Sequence, residues 1–206
     1  MKVRKALLFP LICIFLHIGC SIKTRCRDSE NKTDSIDRVD YQIYSLALSE
    51  VQPNSDFFVL DKLTTKLRSI AEEVDKDYYP QLFKQNFPEL SKTVFNDYKK
   101  KNSTIVSLEN KFEIISKTVK LISKDELDSI FSTQYGGENW SRFYNEFPKS
   151  KGLITLSRIG YNSCRTEAVL EISIIKESLN AEGWILLLKK ENNSWKINKM
   201  VQTWIS

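Results

Sequence analysis

The run Thr166-Glu-Ala-Val-Leu-Glu-Ile-Ser-Ile-Ile175 decides the fold. Successive side chains of a strand point to opposite sides, so Ala168, Leu170, Ile172 and Ile174 share one face. The other face carries Glu167, Val169, Glu171, Ser173 and Ile175, a mixed set. One apolar face and one half-polar face predict an antiparallel strand in a sheet covered on one side. The flanking sequence repeats the signal. Residues 152–159 read as a strand before it. Residues 183–188 read as a strand after it, apolar on both faces (Trp184, Leu186, Leu188; Ile185, Leu187) and therefore central. Residues 195–205 close the set, beyond a hairpin turn at Asn192-Asn-Ser194. The expected class is α+β: N-terminal helices packed on a curled antiparallel sheet with a four-stranded C-terminal meander.

Upstream, Val39, Ile43, Leu46 and Ala47 recur at helical spacing and predict a helix over 37–50. Gln52-Pro-Asn-Ser-Asp56 is a turn cluster, and Phe57-Phe-Val-Leu60 a short strand. Residues 61–67 are ambiguous, and 68–77 are charged and helix-compatible. Pro80 and Pro88 punctuate the next part. Leu90, Val94 and Tyr98 predict a helix over 89–101, and the Lys99-Lys100-Lys101 run falls at its C-terminus, where cations complement the helix dipole. Residues 111–122 alternate in places and read as a strand. Ser123-Lys-Asp-Glu126 is a capping box that opens a short helix through Phe131. Gly136-Gly137 breaks that helix. Trp140, Phe143, Tyr144 and Phe147 then share one face of another, which Pro148 stops.

The first residues read as a processing signal. Met1-Lys-Val-Arg-Lys5 is a positive start, followed by an apolar run over 6–18 that is too short to span a bilayer. Removal of 1–19 takes Lys2, Arg4 and Lys5, so the formal +5 of the whole chain becomes +2. A near-balanced surface of that kind is not the footprint of a nucleic-acid binder. Residues 21–37 are polar and charged, too poor in apolar groups to order themselves, and read as a flexible tether. The expected organisation is a signal over 1–19, a tether over 20–37, and one α+β domain over 38–206.

The mature chain carries no histidine, because His17, the single one, lies in the signal. Acid–base chemistry would therefore rest on Asp, Glu, Lys or Tyr. Glu167 and Glu171 share a strand face, an arrangement that serves glycoside hydrolysis in some enzymes and a solvated face in most strands. No glycine-rich phosphate loop, zinc-spaced cysteine pair or catalytic constellation is legible, and no cofactor or metal is expected. Cys26 and Cys164 remain after the signal and Cys20 are set aside, and an exported compartment permits a bridge between them or two free thiols. Arg158 sits in a strand among Leu156, Ser157 and Ile159. It reads as an edge charge or as a buried, paired group. With Trp140, Tyr144 and Tyr161 it would line a pocket for a planar or anionic ligand, the alternative being a core cluster beside a surface arginine.

Two resemblances bear on this reading. Leu16-His-Ile-Gly-Cys20-Ser resembles the bacterial lipobox, with His17 where that pattern places leucine. It implies cleavage before Cys20, a diacylglyceryl group on its thiol with further acylation of the palmitate type, and a membrane anchor, the alternatives being ordinary secretion with a cut nearby or an uncleaved anchor. Residues 140–206 resemble a group of bacterial exported proteins of unassigned activity. The matching strings are Phe147-Pro-Lys-Ser-Lys-Gly152, Ser157-Arg-Ile-Gly-Tyr-Asn162, Ala168-Val-Leu170, Gly183-Trp184 and Ser194-Trp-Lys-Ile197 with Trp204-Ile-Ser206. The group's pattern has a residue before the tryptophan that is missing here, since Ser194 directly precedes Trp195. More loosely, the order of helices and strands resembles the cystatin-like and NTF2-like cones, in which a curled sheet wraps a helix and leaves a cavity. Together these imply an exported cell-envelope lipoprotein acting as a non-catalytic binding or interaction module. Its partner would be an envelope protein or a small ligand. The alternative is a hydrolase or isomerase using carboxylates or Tyr in an NTF2-like cavity.

Overall fold

The computed structural model describes residues 35–66 and 78–206. The expected signal, Cys20, Cys26, all but the last residues of the expected tether, and the helix-compatible stretch 68–77 lie outside the described residues.

The chain starts with α1 (Arg38–Val51), which opens on a capping box: the Asp37 carboxylate accepts from the amides of Val39 and Asp40, and the Asp40 carboxylate accepts from the amide of Asp37. Then come β1 (Phe57–Asp61), α2 (Tyr78–Asn86), α3 (Lys92–Lys101), β2 (Thr118–Ile122), α4 (Lys124–Ile130) and α5 (Gly136–Glu146). The C-terminal part supplies β3 (Leu153–Leu156), β4 (Gly160–Tyr161), β5 (Glu167–Glu177), β6 (Asn180–Glu191) and β7 (Ser194–Ile205). The class is α+β.

All seven strands form one open sheet in the order β2-β1-β3-β5-β6-β7, with β4 paired to β5. The four-stranded meander is β3-β5-β6-β7, antiparallel throughout. Its last turn is the two-residue loop Asn192-Asn193. Both residues have positive φ (48° and 64°), the backbone that a tight hairpin with native twist requires. The sheet is not antiparallel in its other half: β1 runs parallel to both β2 and β3, so the whole is mixed. Burial explains β1, because Phe58, Val59 and Leu60 are all fully buried, as an interior parallel strand requires.

The sheet is covered on both faces. Ala168, Leu170, Ile172 and Ile174 of β5 pack with α1 and with Phe112 and Ile114 of the connection before β2. Val169, Ile185 and Leu187 point the other way, under Phe83 of α2, Phe87 just beyond its end, and Val94 and Tyr98 of α3. Ile175 and Leu153 meet Trp140 and Phe143 of α5 and its C-cap Phe147 on that second side. The mixed face of β5 stays partly exposed at Glu167, Glu171, Ser173 and Ile175, as its composition implied, but helices cover it as well. Its Val169 is fully buried and its Glu171 accepts the Tyr98 hydroxyl at 3.3 Å. The strand expected over 111–122 is limited to β2, because Phe112 and Ile114 face α1 from irregular backbone. Gly136 and Gly137 begin α5 and do not simply end α4. A Cβ at Gly136 would stand 2.2 Å from the Ser178 hydroxyl oxygen, so the glycine lets the β5–β6 turn sit on the helix start.

Candidate functional site

The strand expected over 152–159 breaks at Arg158, and the break builds the first candidate site. β3 and β4 lie end to end along β5. Between them Arg158 has no neighbouring strand for its backbone. Asn102, the fully buried C-cap of α3, takes that place: its Oδ1 accepts from the Arg158 amide at 2.7 Å, and its Nδ2 donates to the Arg158 carbonyl at 2.9 Å. The Arg158 side chain turns inward and is 4% exposed. Its Nη1 donates to the Lys101 carbonyl at 3.3 Å and to the Thr104 hydroxyl at 3.1 Å. A cation that satisfies the last carbonyls of α3 is a helix cap.

A cleft of about 40 Å³ opens beside it, lined by Asp37, Asp40, Tyr44, Lys101, Arg158 and Arg165 among others. The Tyr161 hydroxyl donates to Asp40 at 2.6 Å, and Arg165 donates to Asp37 at 2.8 Å while its guanidinium stacks 4.2 Å from the Tyr161 ring centre. Lys101 pairs with Asp97 at 2.9 Å and lies 4.8 Å from the same ring. Asp97 also accepts from the Tyr161 amide, and Tyr44 donates to the Ser157 carbonyl. The network staples the start of α1 to the β4–β5 turn and to the end of α3. Gly160 permits the last contact. A Cβ there would meet the Tyr98 backbone at 2.6 Å.

The two carboxylates of the cleft titrate in opposite directions. Burial pushes Asp37 up, but Arg165 and the amides of Asp40 and Val39 outweigh it and hold its carboxyl below the usual value. Burial dominates at Asp40 and raises its carboxyl despite the Tyr161 hydroxyl and the Asp37 amide. Burial and then the charge of Asp40 push the Tyr161 phenol up. Arg165 is raised: burial disfavours its charge, and Asp37 more than compensates.

Trp140 and Tyr144 do not join this cleft. Tyr161 pairs with Ala168 at one end of β5, whereas the Tyr144 hydroxyl donates to the Lys176 carbonyl near the other end. The eight intervening steps span about 26 Å at the rise of a strand. Trp140 and Tyr144 line a shallow groove with Gly137, Glu177, Ser178 and Leu179 at the tip of the β5–β6 hairpin. The four residues expected to line one pocket are therefore divided between two places. Cys164 lies in the turn between β4 and β5 and is disulfide-bonded, its partner lying outside the described residues.

Sequence reasoning missed two features. The first is the Asp37–Asp40 pair, whose signal was an acid at the N-cap with a second acid three residues on. The second is a groove of about 630 Å³ between α2 and α3, lined by Phe83, Phe87, Leu90 and Phe95 with Pro80, Pro88, Lys84 and Lys92. Phe83 and Phe87 at i and i+4 are legible as a helix face. Pro80 concealed it, although proline is tolerated in the first turn of a helix.

Among the described residues no three His, Cys, Asp or Glu side chains converge as metal ligands, and no helix is long and apolar enough to cross a membrane. The fold and these surfaces define an α+β domain with a seven-stranded mixed sheet, a charge network at one end, an apolar groove between α2 and α3 and a mixed groove at the β5–β6 hairpin. No protein family, curated protein or solved structure matches the chain.

Proposed function

We propose that this chain is a bacterial cell-envelope lipoprotein, anchored through Cys20, whose α+β domain works as a non-catalytic binding or interaction module. The polar stretch 21–34 would serve as the tether that lets the domain stand off the membrane; the expected tether ends earlier than 37, because Ile36 packs on the core and Asp37 caps α1.

One observation carries the non-catalytic reading. The polar cleft brings carboxylates and a tyrosine together, yet each is engaged within the chain: Asp37 by Arg165, Asp40 by Tyr161. Its volume of about 40 Å³ has room for roughly two or three waters at the occupied volume a water needs, not for an organic substrate. A wider groove beside it, lined by Tyr41, Lys111 and Phe112, is bridged by the Arg38–Glu113 ion pair, and Tyr41 accepts from the Glu109 amide. A carboxylate- or Tyr-dependent hydrolase would need such groups turned toward a substrate-sized cavity. The groove of about 630 Å³ between α2 and α3 is instead apolar, which suits recognition.

Intact mass of the membrane-extracted protein tests the proposal. The expected result is a chain beginning at Cys20 with a diacylglyceryl-type adduct, absent from a Cys20→Ala variant. An unmodified chain beginning elsewhere would remove the envelope-anchor reading and with it the tether.

A further inference from the structure

We infer that the groove between α2 and α3 is the module's docking surface, and that its partner is a protein segment presenting an amphipathic helical turn with apolar anchors and flanking carboxylates. This inference rests on the interaction-module reading and names its surface and its partner's chemistry.

The floor of the groove is aromatic. Phe83 and Phe87 pack tilted at 5.7 Å between ring centres, and Phe95 stands 4.9 Å from Phe83. Phe83 and Phe87 are buried by the sheet, whereas Leu90 and Phe95 are half-buried and offer apolar area to the groove. The rim is positive. Lys84 and Lys92 line it and are exposed, and among the described residues neither has a carboxylate within ion-pair distance. Lys99 and Lys199 add charge over the rings of Phe95 and Phe87, at 5.9 and 5.5 Å. No carboxylate lines the groove among the described residues. Glu89, beside Pro88, is exposed and outside the lining.

The contrast with the cleft is what assigns a role. In the cleft every cation has a partner of opposite charge or a carbonyl. At the groove Lys84 and Lys92 frame exposed apolar surface and have no such partner among the described residues, whereas Lys199 donates to the Asn86 carbonyl. A groove between two helices leaves one side of its occupant in water. That suits an amphipathic helix, which has a polar back, better than an acyl chain, which has none. Carboxylates flanking the apolar anchors would meet Lys84 and Lys92 on the rim, giving complementarity and orientation.

The test uses the membrane-extracted protein in whichever processed form the mass experiment finds, so failure of the anchor leaves it readable. Two labelled synthetic peptides share one apolar face with leucines at i, i+3, i+4 and i+7; one carries flanking glutamates, the other flanking lysines. Fluorescence anisotropy should show tighter binding of the glutamate peptide, weakening with salt. The double variant Lys84→Glu, Lys92→Glu should lose roughly tenfold for that peptide and gain for the lysine peptide, as two rim ion pairs permit. Both positions are exposed, so the variant keeps its fold, checked by an unchanged Tm. Equal binding of both peptides, no binding of either, or no response to charge reversal would overturn the proposal. Competition by monomeric dihexanoyl-phosphatidylglycerol with the same charge dependence would also overturn it, because the groove would then serve a lipid.

Discussion

The two ends of α3 show what burial does to charge. At its C-terminus, Arg158, Lys101, Asn102 and Asp97 are locked into a network that joins α3 to β4 and α1. At its N-terminus, Lys92 stands exposed beside Phe95 and Leu90, at the mouth of the apolar groove. The first end has its polar groups satisfied and little volume. The second has volume and polar groups that are not neutralised by described neighbours. A charge surrounded by partners on its own chain contributes to one structure. A charge framing uncovered apolar surface contributes to the choice of a partner. The comparison teaches that the Arg most conspicuous in the sequence is engaged in holding α3 to the strands, while the volume lies at the other end of the helix.

The sharpest way to break the comparison is to empty the floor on which the groove rests. Phe83→Ala removes a ring that is 4% exposed and touches Phe87, Phe95 and Tyr98. The expected cost is about 3–5 kcal/mol, a fall in Tm of roughly 10 °C for a domain of this size, read by calorimetry. A much smaller fall would mean that α2 is not seated on the sheet as described, and the groove would lose its wall.

Tyr161→Phe addresses the other end. It deletes the hydroxyl that donates to Asp40 and leaves a buried carboxylate with fewer partners. Leaving such a group unsatisfied costs about 1–3 kcal/mol. Asp40→Asn should cost less at neutral pH, because the amide oxygen still accepts from Tyr161. A larger loss in Asp40→Asn than in Tyr161→Phe would show that the charge of Asp40, and not the hydrogen bond, is what the site needs.

The opposite shifts of the two carboxylates give opposite pH dependences. Asp37 is lowered from 3.8, so its contribution is present above that value and lost as pH falls through its folded pKa. Asp40 is raised from 3.8, so protonation favours the folded state: its contribution is full below 3.8 and is lost as pH rises through its folded pKa. In acid titrations followed by chemical denaturation, the deficit of Asp37→Asn relative to wild type should shrink as pH falls below about 3.8. The stability of wild type relative to Asp40→Asn should grow as pH falls from 7 toward that value. Parallel slopes in the two variants would mean that Asp37 and Asp40 share one environment.

Much of the fold was legible because local pattern and global packing agree. Residues 166–175 alternate, Asn192-Asn193 suits a two-residue turn, and Ser123 and Glu126 form the expected capping box. The pieces that escaped depend on contacts between residues far apart in sequence. The parallel register of β1 with β2 and β3 has no local signature. The interruption at Arg158 depends on Asn102, a side chain 56 positions away that substitutes for a strand. The four-residue pocket failed for a related reason: Tyr144 and Tyr161 are near in sequence but attach to opposite ends of β5. Helix–strand order, even when read correctly, does not state which end of a strand a side chain reaches.

The smallest expected effect on stability is the most discriminating one. Lys84→Glu with Lys92→Glu alters two exposed side chains that pair with no described carboxylate, and surface substitutions of that kind change stability by about 0.5 kcal/mol or less. If the rim lysines belonged to a stabilising network like that of Arg165 and Asp37, reversing both would lower Tm measurably, as Arg165→Ala should. A near-zero change in Tm together with an altered preference between acidic and basic peptides separates recognition from structure. The separation holds because one variant then moves binding while leaving folding where it was, and a residue acting only in the fold cannot do that.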